Sequence, residues 1–315
     1  VLRQQGKSCM LATDASKFIS LYRAARAAGR RRHSRLLHIG GTEPWVMSSS
    51  KDGGVYKRLT GIEVVETALE ELYEAFEEVD DKDAAALAQR YIKEASAVSE
   101  PGEGDIREAA RLVIAVERLL ERYEGDGVCV ACFSLLAELH TTSCMALAFL
   151  NDHPAYVGGC EGDLDSAVTL ALVKALTGKP GWMGNPVIGQ TPFISLAHCS
   201  APLSLADEKN GIIIRSHHES GIGVSPQVEL KTDERITLSR FSASAEKLSC
   251  FSGFTRAVIP RSTCRTQINI ELDDRKGFVD NLLGLHQILV FGDWTNEFEE
   301  AARMMGMEFK AEITV

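Results

Sequence analysis

The sequence predicts an α/β protein in two parts: a parallel, Rossmann-like sheet with flanking helices over residues 1–178, then a β-rich, antiparallel, barrel-like part over 179–315. Two observations predict it. Up to Gly178, short apolar runs alternate with stretches of helical periodicity, the order that builds a parallel sheet covered by helices. Beyond Lys179, runs such as Arg235-Ile-Thr-Leu-Ser and Gln267-Ile-Asn-Ile-Glu-Leu alternate polar and apolar residues, the period-two mark of half-buried antiparallel strands.

In chain order, a helix is expected over 14–28, ending in the basic cluster Arg30-Arg31-Arg32-His33, which suits a solvated helix end. A strand over 36–39 leads to Gly40-Gly41, which lacks the third glycine of a dinucleotide-binding turn. A strand over 60–66 and helices over 69–78 and 82–97 follow. After a Pro/Gly loop at 99–104 comes an amphipathic helix over 106–123, with Ala109, Leu112, Val113, Val116 and Leu120 on one stripe. A strand is read over 128–133 and a helix near 143–150. Tyr156 and Val157 open a short strand that turns at Gly158-Gly159. The helix beyond it carries Leu164, Val168, Ala171 and Ala175 at helical spacing and is closed by Gly178 and Pro180. In the second part, strands are read over 194–197, 212–215, 228–230, 235–239, 267–272 and 287–291, and a helix over 296–304.

The chain of 315 residues is long enough for two domains. Its net charge of −10 argues against a general nucleic-acid or anionic-membrane surface. No apolar run is long enough to span a bilayer and no secretory segment leads the chain, so a cytoplasmic location is expected. The eight cysteines are spread thinly, unlike a secreted disulfide scaffold. Cys129-Val-Ala-Cys132 has zinc-like spacing, with His140 and Cys144 nearby. It sits in an apolar strand-like run and no second Cys-x-x-Cys follows, so buried, reduced thiols are expected.

The chemistry concentrates between Cys160 and Asn185. Glu161, Asp163 and Asp165 stand between a strand's carboxyl end and a helix start. Carboxylates there cap free N–H groups and complement the helix dipole. The same position is the sheet edge where α/β proteins bind ligands.

The run Cys160-Glu-Gly-Asp-Leu-Asp-Ser-Ala-Val-Thr, with the later Gly178-Lys-Pro, resembles the signature of the L-fucose isomerase and L-arabinose isomerase family, most clearly over 160–309. The resemblance implies interconversion of an open-chain aldose and ketose through an enediol, with Mn²⁺ or Mg²⁺ as cofactor and a small-molecule sugar as partner. It implies that Glu161 binds the metal and acts as acid/base. His198, in Ser-Leu-Ala-His-Cys, and His286, in Gly-Leu-His-Gln-Ile, resemble the family's imidazole ligands. The second acid of the pattern is expected 24 positions after Glu161, where this chain has Asn185. An amide can coordinate or hydrogen-bond a sugar hydroxyl but cannot take a proton. Glu219, in Ser216-His-His-Glu-Ser-Gly, is the substitute acid the sequence offers. His217 and His218 would face opposite ways if they lay in a strand; His218 with Glu219 and Gly221 is expected as a turn at the rim. Trp182 is the expected sugar-facing aromatic, with Trp45 and Trp294 as further candidates; Arg215 and Arg265 read as ion-pair residues. The alternative to an enzyme is a sugar-binding or assembly homologue that has lost the second carboxylate. The resemblance also implies a homo-oligomer, a trimer or hexamer. Family members carry a further α/β domain ahead of these two, so a fragment, a processed chain or a shortened relative is implied.

Overall fold

The computed structural model describes residues 10–31, 33–208 and 211–311; Cys9 and, within the basic cluster, Arg32 lie outside them. The first layer is built in chain order from α1 (Ala15–Arg31), β1 (Arg35–Ile39), α2 (Gly53–Thr60), β2 (Glu63–Thr67), α3 (Leu69–Glu77), α4 (Asp81–Glu94), the two-residue β3 (Ala97–Val98), α5 (Glu103–Tyr123), β4 (Gly127–Val130), α6 (Cys132–Glu138), α7 (Cys144–Asp152), β5 (Val157–Gly159) and α8 (Leu164–Thr177). Its sheet is parallel throughout, in the order β2-β1-β4-β5. The chain moves outward from β1 to β2 and then returns to β1's other side. This reversal opens a crevice outside the carboxyl ends of β1 and β4, where open α/β sheets bind ligands.

The second layer comprises β6 (Trp182–Ile188), β7 (Ile194–His198), β8 (Ile212–Arg215), β9 (Ser225–Val228), β10 (Arg235–Ser242), β11 (Lys247–Arg256), β12 (Thr266–Leu272), α9 (Arg275–Asp280), β13 (Gln287–Phe291), α10 (Thr295–Met305) and β14 (Glu308–Lys310). Strands β10-β13-β6-β7-β12-β11 pair antiparallel in that order, and β10 pairs with β11, so the six close into a barrel; β14 joins β11 in parallel. Closure removes the exposed edges an open sheet would present. A small sheet, β3-β8-β9, links the loop after α4 to the barrel side.

Helix α8 is the shared wall. It packs on β4 and β5 on one side and on β6, β10 and β13 on the other. Of the stripe read from the sequence, Leu164 and Val168 are buried and Ala171 and Ala175 are half-buried; Ala167, Leu170, Leu172, Val173 and Leu176, off that stripe, are buried as well, because the helix is enclosed by two sheets. The barrel interior is filled separately by Trp182, Ile194, Leu196, Ile236, Leu238, Phe251, Ile270 and Leu289.

Several elements depart from the sequence reading for identifiable reasons. The run 128–133 is not one strand: pairing stops at Val130, and Cys132 begins α6, whose Phe133 N–H is taken by the Glu43 side chain at 3.1 Å. The expected strand over 60–66 starts at Glu63 because the unpredicted α2 occupies the preceding residues. That helix is capped by the Asp52 side chain on Gly54 N–H (2.8 Å) and ended by Gly61 in the left-handed conformation. Strands β6 and β11 were also unpredicted: both run unbroken, but Asn185-Pro186 in the first and Gly253 in the second are residues that disfavour a strand in the sequence. The turn expected around His218, Glu219 and Gly221 is present, with Gly221 N–H bonded to His217 O at 2.8 Å.

Lys174 of α8 reaches the carboxyl end of α7, where its ammonium donates to the carbonyls of Leu150 (3.3 Å) and Asn151 (3.0 Å) and also to those of His153 and Tyr156. Those carbonyls otherwise have no helical partner. Lys174→Met keeps the apolar stem and removes the donor. Urea unfolding is expected to show a loss of roughly 1–3 kcal/mol from the unsatisfied carbonyls; an unchanged midpoint would contradict this role.

Candidate active site

The site forms where the loop after β1 and the turn after β5 meet the open end of the barrel. Glu43 N–H bonds Glu161 O (3.1 Å) and Gly162 N–H bonds Val130 O (2.9 Å), so the ends of three parallel strands are knitted together. Gly162 is required: a Cβ there would stand 2.1 Å from Gly41 O, and its φ is +63°. Glu161 itself has φ +60°, a left-handed conformation that a non-glycine residue adopts at a cost of about 1–3 kcal/mol and that concentrates at functional sites.

That conformation turns the Glu161 side chain toward the barrel. Its Oε2 accepts the Trp45 indole N–H at 2.6 Å. Its Oε1 faces His286 Nε2 at 3.4 Å and His198 Nε2 at 3.8 Å. The two imidazoles stand edge to face with centroids 5.4 Å apart. His198 ends β7 and His286 precedes β13, so residues far apart in the chain converge on one carboxylate. The ring of His286 is fixed from behind: its Nδ1–H donates to Asp163 Oδ2 at 2.8 Å, while Nε2 is buried without a hydrogen-bond partner. His198 Nδ1 lies 2.8 Å from Ser200 Oγ.

Behind these groups lies a buried charge network. Asp163 caps α8 through Ser166 N–H (2.9 Å) and takes both guanidinium nitrogens of Arg240 at 3.0 Å. Asp165, 3.8 Å from Arg240, accepts the Tyr56 hydroxyl at 2.8 Å. Asp163, Arg240 and His286 have no exposed surface. A Cβ at Gly284 would stand 2.6 Å from Arg240 Nη2, so the loop before β13 passes directly over the guanidinium.

The electrostatics follow from this arrangement. Burial would raise Glu161, but the facing His198 and His286 outweigh it and hold the carboxyl well below the usual carboxylate range. Burial would also raise Asp163, yet Arg240 and His286 hold it at about 2. Burial pushes Asp165 up to about 6 despite Arg240. Burial acts to lower His286, and Asp163 and Glu161 reverse the direction, raising it above the ordinary histidine value. Glu43 is pushed up chiefly by burial and further by the charge of Glu161, against the Phe133 N–H.

The remaining sequence candidates are distributed differently. Asn185 is half-buried in β6, paired with Ala197 next to His198, and its side chain makes no hydrogen bond to a described residue. Glu219 is exposed, and its contact is with His218 Nε2 at 3.8 Å rather than with Glu161. The expectation for Trp182 is corrected: its ring is fully buried in the barrel core and has no surface to offer a sugar. Trp294 stacks under Arg23 and Lys179 away from the site. Trp45 is the aromatic at the site, half-exposed and edge-on to Phe133, which in turn meets His217. Arg215 is paired with Glu100, and Arg265 donates to Ser216 O.

Sequence reasoning missed Arg240 and Glu43, and weighed Asp163 as a cap or a local acid but not as the partner of His286 and Arg240. Arg240 had a signal: in Arg235-Ile-Thr-Leu-Ser-Arg it falls on the Ile236 and Leu238 face of a period-two strand, an apolar face where a charge requires a buried partner. Glu43 follows the glycines after β1, at the sheet edge where ligands bind, which was a weaker signal.

Because Asp165 titrates at about 6 when folded and near 3.8 when unfolded, its stabilising contribution is complete below the lower value and is lost as pH rises through the upper one. The stability of the wild type relative to Asp165→Asn is expected to fall by about 3 kcal/mol between roughly pH 4 and 6 and to stay level above. Chemical unfolding across that range checks it; a constant difference would contradict it.

No family model matches the chain. Over 180 residues, 53% of its length, the chain is 27% identical to a sulfoquinovose isomerase from Clostridium sp. (strain MSTE9), and the match covers 40% of that protein.

Proposed function

We propose that the protein is a metal-dependent aldose–ketose isomerase of open-chain sugars, with Glu161, His198 and His286 as metal ligands and Glu43 as proton carrier. One observation carries the reading: two buried imidazoles from separate parts of the barrel face one carboxylate oxygen of the parallel layer at 3.4 and 3.8 Å. The donor chemistry fits a divalent ion. His286 has its Nδ1 committed to Asp163 and its Nε2 without a partner, the state of an imidazole awaiting a ligand bond. Metal on His198 Nε2 would select the tautomer in which Nδ1–H donates to Ser200 Oγ, at the expense of the Ser200 N–H that Nδ1 accepts at 3.3 Å. One carboxylate and two imidazoles suit Mn²⁺, with Mg²⁺ as the harder alternative. Cys160 also lies within 4.8 Å of Glu161 and His198, but its sulfur is engaged with Cys132 at 3.0 Å. A divalent ion held there supplies Lewis-acid polarisation of a carbonyl and its neighbouring hydroxyl. The likeness to a protein named as a sugar isomerase supports the reaction class.

Isomerisation moves a proton between adjacent carbons, so a carboxylate must take it and return it. Glu161, surrounded by a Trp45 N–H and two imidazoles, is a strong ligand and a weak base. Glu43 is joined to it through the backbone, is buried, and uses only Oε1, on Phe133 N–H, among the described residues. Its Oε2 is the oxygen available to carry the proton, and Asn185 is left to hydrogen-bond a sugar hydroxyl. The exposed ring face of Trp45 covers the substrate. Asn185 in place of an acid favours one second reading, a sugar-binding homologue without turnover.

The test combines Mn²⁺ titration with NMR in deuterated water on a panel of aldoses and ketoses that begins with sulfoquinovose, the sugar in the relative's name. Deuterium is expected on the carbon next to the carbonyl of the product. Glu161→Gln should lose Mn²⁺ binding and turnover together, whereas Glu43→Gln should keep Mn²⁺ binding and lower kcat by roughly 10²–10⁴-fold. Full turnover after metal removal would overturn the metal assignment. Full turnover in Glu43→Gln would overturn the role of Glu43, and sugar binding without exchange would favour the second reading.

A further inference from the structure

Beside the Glu161 centre lies a second group of ligating side chains that the isomerase reading does not use. Cys199, His218 and Cys264 each present a ligand atom within 4.8 Å of the other two. They come from three different segments: Cys199 follows β7, His218 lies in the turn after β8, and Cys264 lies in the loop before β12. Cys199 is buried and the other two are half-buried, so the group is enclosed yet reachable from solvent. An independent observation points to a missing ligand. His218 Nδ1 is buried with no hydrogen-bond partner of good geometry, the ring's thiol neighbour being Cys199, while Nε2 stands 3.8 Å from the Glu219 carboxylate, beyond hydrogen-bond length. A carboxylate facing the far nitrogen of such a ring is a small side-chain shift away from the hydrogen bond that orients metal-binding histidines.

We propose that Cys199, His218 and Cys264 form a site for Zn²⁺ or a similarly soft divalent ion, distinct from the Glu161 centre. Two thiolates and an imidazole are a Cys₂His donor set, which selects zinc over the manganese or magnesium that a carboxylate–imidazole set prefers. With Zn–S near 2.3 Å and Zn–N near 2.0 Å, tetrahedral ligand atoms stand about 3.5–3.8 Å apart, so small side-chain shifts close the group on an ion. The fourth position is left to water or to Cys144, whose thiol is hydrogen-bonded to Cys199. The ion clips together three loops at the rim, including the turn that holds His217 against Phe133.

Co²⁺ added to the reduced, metal-free full chain tests this, because thiolate ligation gives a near-ultraviolet charge-transfer band that an oxygen–nitrogen site cannot give. One band-forming Co²⁺ per chain is expected, displaced by Zn²⁺. The band should be lost in Cys264→Ser and weakened or lost in His218→Gln, and retained in Glu161→Gln and Cys132→Ser; far-UV circular dichroism confirms that each variant is folded. Absence of the band in the reduced wild type would overturn the proposal. So would a band that survives Cys264→Ser or one that disappears in Cys132→Ser.

Discussion

Asp163, at the start of α8, and Arg240, near the end of β10, are buried together, and neither can be moved without stranding the other. Removing a guanidinium or a carboxylate from water costs several kcal/mol, and a buried pair recovers this only with close geometry and further hydrogen bonds. Here the geometry is bidentate at 3.0 Å, and Ser166 and His286 add donors to the same carboxylate. The pair therefore fixes three things at once: the start of α8, the end of β10, and the ring plane of His286. Because Glu161 sits two residues before Asp163, the network also sets where the turn after β5 can place its side chain. Breaking such a pair from one side is expected to cost about 3–5 kcal/mol.

The rest of the site follows from topology. A parallel sheet whose strand order reverses at β1 opens a crevice beside β1 and β4, and a closed barrel whose strand ends carry His198 and His286 faces it. Helix α8, apolar on both sides, holds the two layers in one core. The left-handed Glu161 and the glycine after it are the local concession to this meeting: the carboxylate must turn away from its own strand to reach the barrel's imidazoles. The aromatic run Trp45, Phe133 and His217 then walls one side, anchored by the Trp45 hydrogen bond to Glu161.

Much of this was legible in the sequence, and the remainder was hidden for physical reasons. Alternating periodicity gave the parallel layer and the β-rich second half, since binary pattern survives in any sequence that must bury one face. The acidic turn drew attention to Glu161, and resemblance drew it to His198 and His286; periodicity alone distinguishes neither histidine from a buried, satisfied one. Trp182 and Trp45 are the same residue type in apolar surroundings, and only the tertiary arrangement sends one into the barrel core and the other to the site. The turn at His218 was legible because Ser220, Gly221 and Gly223 follow closely. Helix α2 was missed because Gly53 and Gly54 suggest a loop, whereas Asp52 and Gly61 supply the caps that make a short helix possible. The thiols were expected to be reduced and mostly buried, and the described ones are; that Cys199 and Cys264 meet His218 through three loops has no linear spacing to announce it.

The convergence of Glu161, His198 and His286 on one divalent ion is tested most directly by anomalous diffraction from crystals soaked in Mn²⁺, recorded near the manganese edge. The expected result is a single strong peak bonded to Glu161 Oε1 and to the Nε2 atoms of both histidines, with Asp163 still on His286 Nδ1. A peak elsewhere, or none at these residues at saturating Mn²⁺, would contradict it.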